Sequence, residues 1–550
     1  MFKNFLPIAL GSRLVALPWH AARKALKPNL MALLLAILLT SHLAKSQTPY
    51  SPSTQVHLGK MHFVQNNLMP TQIVGSDDNG VFITKTKLRQ ELRGEEDFPV
   101  LEYYNNEMEL QMFRKLTPPQ IGAKPIFEKI MELEENLYCF YSLVDNKTDT
   151  KALLAQKVDK NTLSLEDEIF TLRTIPQTKN HTPFIIKPSF EGNSLMVIDH
   201  PDDKGNGQEN IHLTVLDKNL QNQCRQDFVL PYKGDAFEII NYFLNNAGDF
   251  FLLAKTATRK KDLEKFWEPN YQFSILTFNK NAKSLKEYVP ELDGKFLVNM
   301  QIGTSSSGEL ICGGFYQDQG PGNTAGSYFI QLDPSNGKVS KTNFKAFDPD
   351  ILDQENDKVY PKEEMELYTY SPSEFYVRID GGVVMIAEQA TQTAHFDQRS
   401  NLPSAQISYN HIAVTSIAPD GEIMWTRKIQ KYQTSSQRYS FFSSYATAVL
   451  HDKIYLVFND NVQNQCKSTC KPVQFSPNSS KKDILIAMVE IGWDGEVNKS
   501  MISMSKDLNI LTKPSACKQI SRNEMVVLGQ YNNEYRLAVL EFEKTFSYQY

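Results

Sequence analysis

The segments SIAPDGEIMW (Ser416–Trp425) and VEIGWDGEVN (Val489–Asn498) each run from an apolar strand-like stretch through an Asp-Gly turn into a second such stretch. The same unit recurs as QKVDKNTLSL around Asp159, TVLDKNLQNQ around Asp217, LTFNKNAKSL around Asn279 and QLDPSNGKVS around Asn336, and more loosely as LEYYNNEMELQMF around Asn105. Alternation of apolar and polar residues predicts strands, and the recurring Asp, Asn and Gly predict the turns between them. A second kind of hairpin precedes each unit, from IVGSDDNGVFIT (Ile73–Thr84) to TAVLHDKIYLVFND (Thr447–Asp460), and one more, CKQISRNEMVVLG (Cys517–Gly529), follows the last. Two hairpins make four antiparallel strands, and their repetition over some 500 residues predicts an all-β fold, a β-propeller.

Eight hairpins of the preceding kind and seven clear hairpins of the recurring kind predict about eight blades, with seven as the alternative count and a pair of stacked sandwiches as the alternative architecture. The eighth recurring hairpin is half present, as YRLAVLEFE (Tyr535–Glu543). An open ring would leave a bare strand edge, so the isolated strand-like segment QVHLGKMHFV (Gln55–Val64) is expected to close it. Val56 and Leu58 differ in parity from Met61 and Phe63, and a bulge near Gly59 is needed to keep all four on one buried face.

In a propeller the loop between the second and third strands of a blade and the link to the next blade emerge on one face. The hairpin turns emerge on the other. The expected second-to-third loops are long, at Lys85–Phe98, His200–Gln208, Thr256–Asn270, Gln317–Gly326, Gln389–Tyr409 and Asp460–Lys482, as is the link Lys345–Glu374, whereas the hairpin turns are almost all short. Long loops on one face point to a working surface there, the alternative being neutral insertions that loop entropy tolerates. Its candidate ligand contacts are Trp267, Tyr271, Tyr360, Tyr368, His395, Phe396, Arg438 and Tyr439, with Tyr370 and Tyr432 beside them, since aromatic and Arg side chains anchor interfaces and sugars.

The first 46 residues carry Lys3, Arg13, Arg23, Lys24, Lys27 and Lys45, no acidic residue, and the apolar run LMALLLAILL (Leu30–Leu39). That run is too short to cross about 30 Å of hydrocarbon. With Ala44-Lys45-Ser46 after it, it reads as a signal peptide cleaved before Gln47, an uncleaved anchor being the alternative. Residues 47–550 are then a single propeller domain, periplasmic or extracellular, with no transmembrane span. The first cysteine, Cys139, lies far from the cleavage point, so a lipoprotein is not expected. The remaining chain holds 52 basic against 63 acidic side chains, a balance that opposes binding to nucleic acid.

Six cysteines in 550 residues do not make a disulfide framework. Four sit alone in strand-like runs, and Cys466 and Cys470, in the polar loop QCKSTCK, are expected to pair. HExxH, Walker A, GxSxG and CxxC motifs are absent. The acidic run containing Asp348, Asp350 and Asp353 offers oxygen ligands suited to Ca2+ but lacks EF-hand spacing, and no other cofactor is implied. Ser76–Gly80 with Phe82 has one copy of an Asp-box-like pattern, and Asp420–Trp425 one copy of a glycine-to-tryptophan docking pattern. Both read better as blade hairpins.

The stretch YNHIAVTSIAPDGEIMWTRKIQKYQ (Tyr409–Gln433), followed by KIYLVFND (Lys453–Asp460), resembles secreted, mostly uncharacterised β-propeller proteins of Bacteroidetes, as does YCFYSLVDNKTDTKALLAQKVDKNTL (Tyr138–Leu163). The resemblance implies an envelope or extracellular propeller and no catalytic residues. The expected function is a non-enzymatic module that binds an envelope protein or a glycan through its loop face. The alternative is a glycan-active hydrolase or lyase with carboxylates converging in the central funnel.

Overall fold

The computed structural model describes residues 5–10, 13–18, 54–87, 98–120, 124–177, 183–200, 208–233, 237–257, 271–281, 284–318, 324–348, 351, 370–378, 380–397, 402–450, 453–465, 473–504 and 510–543. An N-terminal unit, residues 1–51, contains an antiparallel hairpin of Phe5–Leu10 with Arg13–Pro18. The remainder forms one unit, a propeller of eight antiparallel blades among the described residues. Seven blades are continuous in sequence, within residues 68–115, 126–176, 185–233, 237–288, 295–346, 370–429 and 446–504. The eighth joins Leu511–Thr512 and Lys518–Gln519 (an interrupted innermost strand), Glu524–Tyr531 and Glu534–Phe542 to the N-terminal strand Thr54–Phe63.

The recurring Asp or Asn has one job in the turn between third and fourth strands. Its carboxylate or amide oxygen accepts a backbone N–H further along the turn: Asn161 on Asp159 at 2.8 Å, Asn219 on Asp217 at 2.9 Å, Asn281 on Asn279 at 3.0 Å, Glu422 on Asp420 at 3.0 Å and Glu496 on Asp494 at 2.9 Å. Such side chains supply the acceptor that the turn backbone lacks. One turn departs from the expected shortness: residues 158–169 of the second blade form a longer connection braced by a bridge from Val158 to Leu165.

Both faces of most blades are buried, so strands such as Ser194–Asp199 are buried throughout rather than alternating. The apolar clusters lie between neighbouring blades, for example Leu213 and Phe228 of the third with Phe250 and Leu276 of the fourth. Ile73, Val81 and Tyr104 of the first pack on Val526, Leu537 and Val539 of the eighth. That last cluster closes the ring.

The closing strand carries the expected register shift between Leu58 and Met61. Gly59 lies within the shift, where a Cβ would meet Met108 Cβ at 2.5 Å, so only glycine lets this strand approach the first blade. The shift does half of what was expected of it. Val56 and Met61 pack into the core between the seventh and eighth blades, but Leu58 and Phe63 remain 46% and 62% exposed, because the far side of an outermost strand has no sheet to cover it. His62 instead stacks on Tyr535 and meets Tyr104 edge-on, beside a buried ion pair of Lys85 with Glu102 at 3.0 Å.

The Asp420–Trp425 hairpin forms as read, and its tryptophan also joins two blades. Trp425 Nε1 donates to the Trp493 carbonyl at 2.8 Å, and its ring covers Gly495, where a Cβ would come within 2.9 Å of it. Arg427 Nε donates to the Gly495 carbonyl at 2.8 Å. Gly495 has φ +81°, so this turn excludes larger residues twice over. Trp425→Ala is expected to cost about 3–5 kcal/mol, as for other large buried aromatics. Urea denaturation of the variant checks this, and an unchanged midpoint would show that the docking contributes nothing.

Candidate functional site

Most of the stretch expected to be a loop between Gln389 and Tyr409, up to Asp397 and again from Leu402, is strand. Val383–Asp397 and Leu402–Ile417 pair from Val383↔Ile417 out to Asp397↔Leu402, with one irregularity between Glu388 and Ala390. At 15 and 16 residues these strands exceed all others in the described chain, and their outer halves form an arm that continues past the first and fourth strands of the sixth blade. The arm is a second-to-third connection and so rises on the face expected to carry the long loops. A third strand, Gln433–Ser436 from the link to the seventh blade, pairs with Gln406–Tyr409 and stiffens its base.

The base is pinned by a buried polar cluster. The Lys431 side chain is 0% exposed, and its amine lies 2.6 Å from Glu388 Oε1 while donating to the Tyr409 carbonyl and to Gln433 Oε1, both at 3.1 Å. Burial pulls that amine below its usual value, and the Glu388 carboxylate pulls the other way. Ser444 Oγ donates to the second Glu388 oxygen at 2.7 Å. Gln433 Nε2 donates to the Asn459 carbonyl at 2.8 Å, and Asn459 Nδ2 donates to the carbonyls of Phe442 and Thr512, each at 2.7 Å. The arm's root is thus tied to the seventh and eighth blades.

Four of the expected ligand residues gather here. His395 and Phe396 lie near the end of the arm, at register positions opposite Ser404 and Pro403. Arg438 and Tyr439 follow the stiffening strand in a short 3-10 helix, Gln437–Phe442, with the exposed guanidinium 5.6 Å from the tyrosine ring centroid. Tyr271 belongs to the fourth blade, where its hydroxyl donates to the Val298 carbonyl at 2.9 Å and burial pushes its pKa up to about 12. Tyr370 and Tyr432 are buried, Tyr432 against His411. Trp267, Tyr360, Tyr368, Asp350, Asp353, Cys466 and Cys470 lie outside the described residues, and Asp348 is exposed after the fifth blade. Cys139, Cys224, Cys312 and Cys517 are free thiols.

Three carboxylates on the inner strands, Glu128, Glu132 and Glu374, each have a lysine or hydroxyl partner. Glu128 pairs with Lys151 at 3.1 Å and Glu132 with Lys160 at 3.0 Å. Glu374 accepts from Thr447 at 2.9 Å and from the Tyr376 hydroxyl, and burial raises its carboxyl above the usual range. No group of three metal-ligating side chains occurs among the described residues, nor does a helix long and apolar enough to cross a membrane. Sequence reasoning missed Lys431, Glu388 and Gln433, which carry no local motif.

No protein family matches the chain in sequence, and neither does any curated protein. Solved structures similar to it include the WD40 domain of SCAP from fission yeast, at 8% identity and TM-score 0.39, over 90% of this chain and 99% of that one. The β-propeller domain of the trilobed protease from Pyrococcus furiosus is similar at 10% identity and TM-score 0.33, over 80% and 96%. A protein of unknown function from Dyadobacter fermentans is similar at 7% identity and TM-score 0.30, over 90% and 100%. The fold assignment rests on the strand pairing described above.

Proposed function

We propose that this propeller is an exported, non-enzymatic binding or scaffold module that holds an envelope protein or a glycan on its loop face, with the arm as principal contact. The observation that carries this reading is the arm itself, a three-stranded projection locked at its root by the Lys431–Glu388 pair. Ordering so many residues on a surface costs backbone entropy, and rigid presentation of a binding edge offsets that cost by reducing what is lost on association.

Replacing residues 391–407 by a two-residue turn tests it. The full chain should retain a stoichiometric envelope partner or a glycan-array signal that the shortened chain loses, while both melt at similar temperatures. Equal retention by the shortened chain sinks the arm as the contact. The second reading, a glycan hydrolase or lyase, has one observation behind it, the raised Glu374 carboxyl. It requires that Glu374→Gln abolish turnover of a glycan that the native protein cleaves.

A further inference from the structure

Away from the arm, the innermost strands of the second and third blades carry two lysines that have no carboxylate partner among the described residues. Lys129 lies in Ile126–Leu133, Lys187 in Ile185–Pro188 and Asn241 in Phe237–Leu244, and each of these strands is the first of its blade. The Lys129 amine crosses from the second blade to donate to the Ile186 carbonyl at 3.2 Å. The amine of the neighbouring Lys187 crosses to the fourth blade and donates to Asn241 Oδ1 at 2.7 Å. Both acceptors are neutral. Among the described residues, neither lysine forms an ion pair, although Lys85, Lys151, Lys431 and Lys499 are all matched to carboxylates.

The Lys129 amine ends on the peptide that precedes Lys187, so two half-buried ammonium groups fall within reach of each other's field and lose hydration with no carboxylate paired to either among the described residues, which costs folding free energy. Burial holds both amines below their usual value, and Lys129 lowers Lys187 further. An ammonium has three donors, so each lysine keeps two after its neutral contact. Asn241 Oδ1 also accepts the Tyr242 backbone N–H at 2.9 Å, which leaves the Asn241 amide N–H groups as further donors at the same place.

We propose that Lys129, Lys187 and Asn241 form a binding site for a doubly charged oxyanion, a phosphate or sulfate group, on the axial side of the second to fourth blades. Two cations with several free N–H donors match the charge and the acceptor oxygens of such a group. The site stands apart from the arm, so its failure leaves the loop-face reading intact.

The full chain, titrated with inorganic phosphate and with sulfate, should rise in melting temperature beyond its response to sodium chloride at matched ionic strength. The double variant K129Q/K187Q should lose at least tenfold in phosphate affinity by calorimetry, and without anion it should melt at or above the native temperature, because the repulsion is gone. Should that variant fail to fold, Asn241→Asp supplies an internal counter-charge and should abolish the anion response alone. Glucose 6-phosphate binding more tightly than inorganic phosphate would identify a phosphorylated sugar as the source, and equal binding would identify the free ion. The site is overturned if the native protein shows no anion-specific stabilisation, or if the double variant or Asn241→Asp responds like the native protein.

Discussion

A chain that begins at Gln65, and so lacks Thr54–Phe63, is expected to melt far below the full chain or to aggregate. The deletion removes the partner of Glu534–Phe542 along its whole length, from Thr54↔Phe542 to Phe63↔Glu534. Each lost cross-strand hydrogen bond is worth about 1 kcal/mol net. The bare edge left behind is a template for pairing with other chains. Val56 and Met61 leave the core between the seventh and eighth blades, and His62 leaves the Tyr104–Tyr535 cluster. The summed loss is on the order of 5 kcal/mol or more, comparable with the whole stability of many domains. A chain that begins at Ser53 keeps every one of these contacts and should melt like the full chain. Equal melting of the two truncations would mean that the ring does not depend on its N-terminal strand.

The second large effect is expected at the root of the arm. Lys431→Met leaves the Glu388 carboxylate buried, keeping the Ser444 hydrogen bond but losing its cation, and breaking a buried pair from one side costs about 3–5 kcal/mol. Adding Glu388→Gln should recover part of the loss, since removing both charges removes the unpaired one. Chemical denaturation of the single and the double variant checks this. A double variant no more stable than Lys431→Met would place the damage in lost packing rather than in the stranded charge.

The blade count and the ring closure are legible in the sequence because each depends on a local signal. Asp159, Asp217, Asn279, Asp420 and Asp494 hold their own turns, the flanking strands alternate or run apolar according to how many faces they bury, and Gly59 marks the one place where the closing strand must shift. The arm is different. Residues 389–409 are mostly polar and include only a few scattered apolar side chains. They carry no period-two signal, although residues 390–397 pair in continuous register with residues 402–409.

The sequence by itself thus determined the architecture, eight repeated units of four strands with the last completed from the N-terminus, since turn chemistry and burial pattern act over a few residues. Only the tertiary structure decided which charges meet. Lys431 reaches Glu388 across the base of the arm, whereas Lys129 and Lys187, in adjacent blades, reach a backbone carbonyl and an amide oxygen and no carboxylate among the described residues. Those pairings depend on how blades are set around the ring and on which side chains cross from one to the next, and no local pattern encodes that.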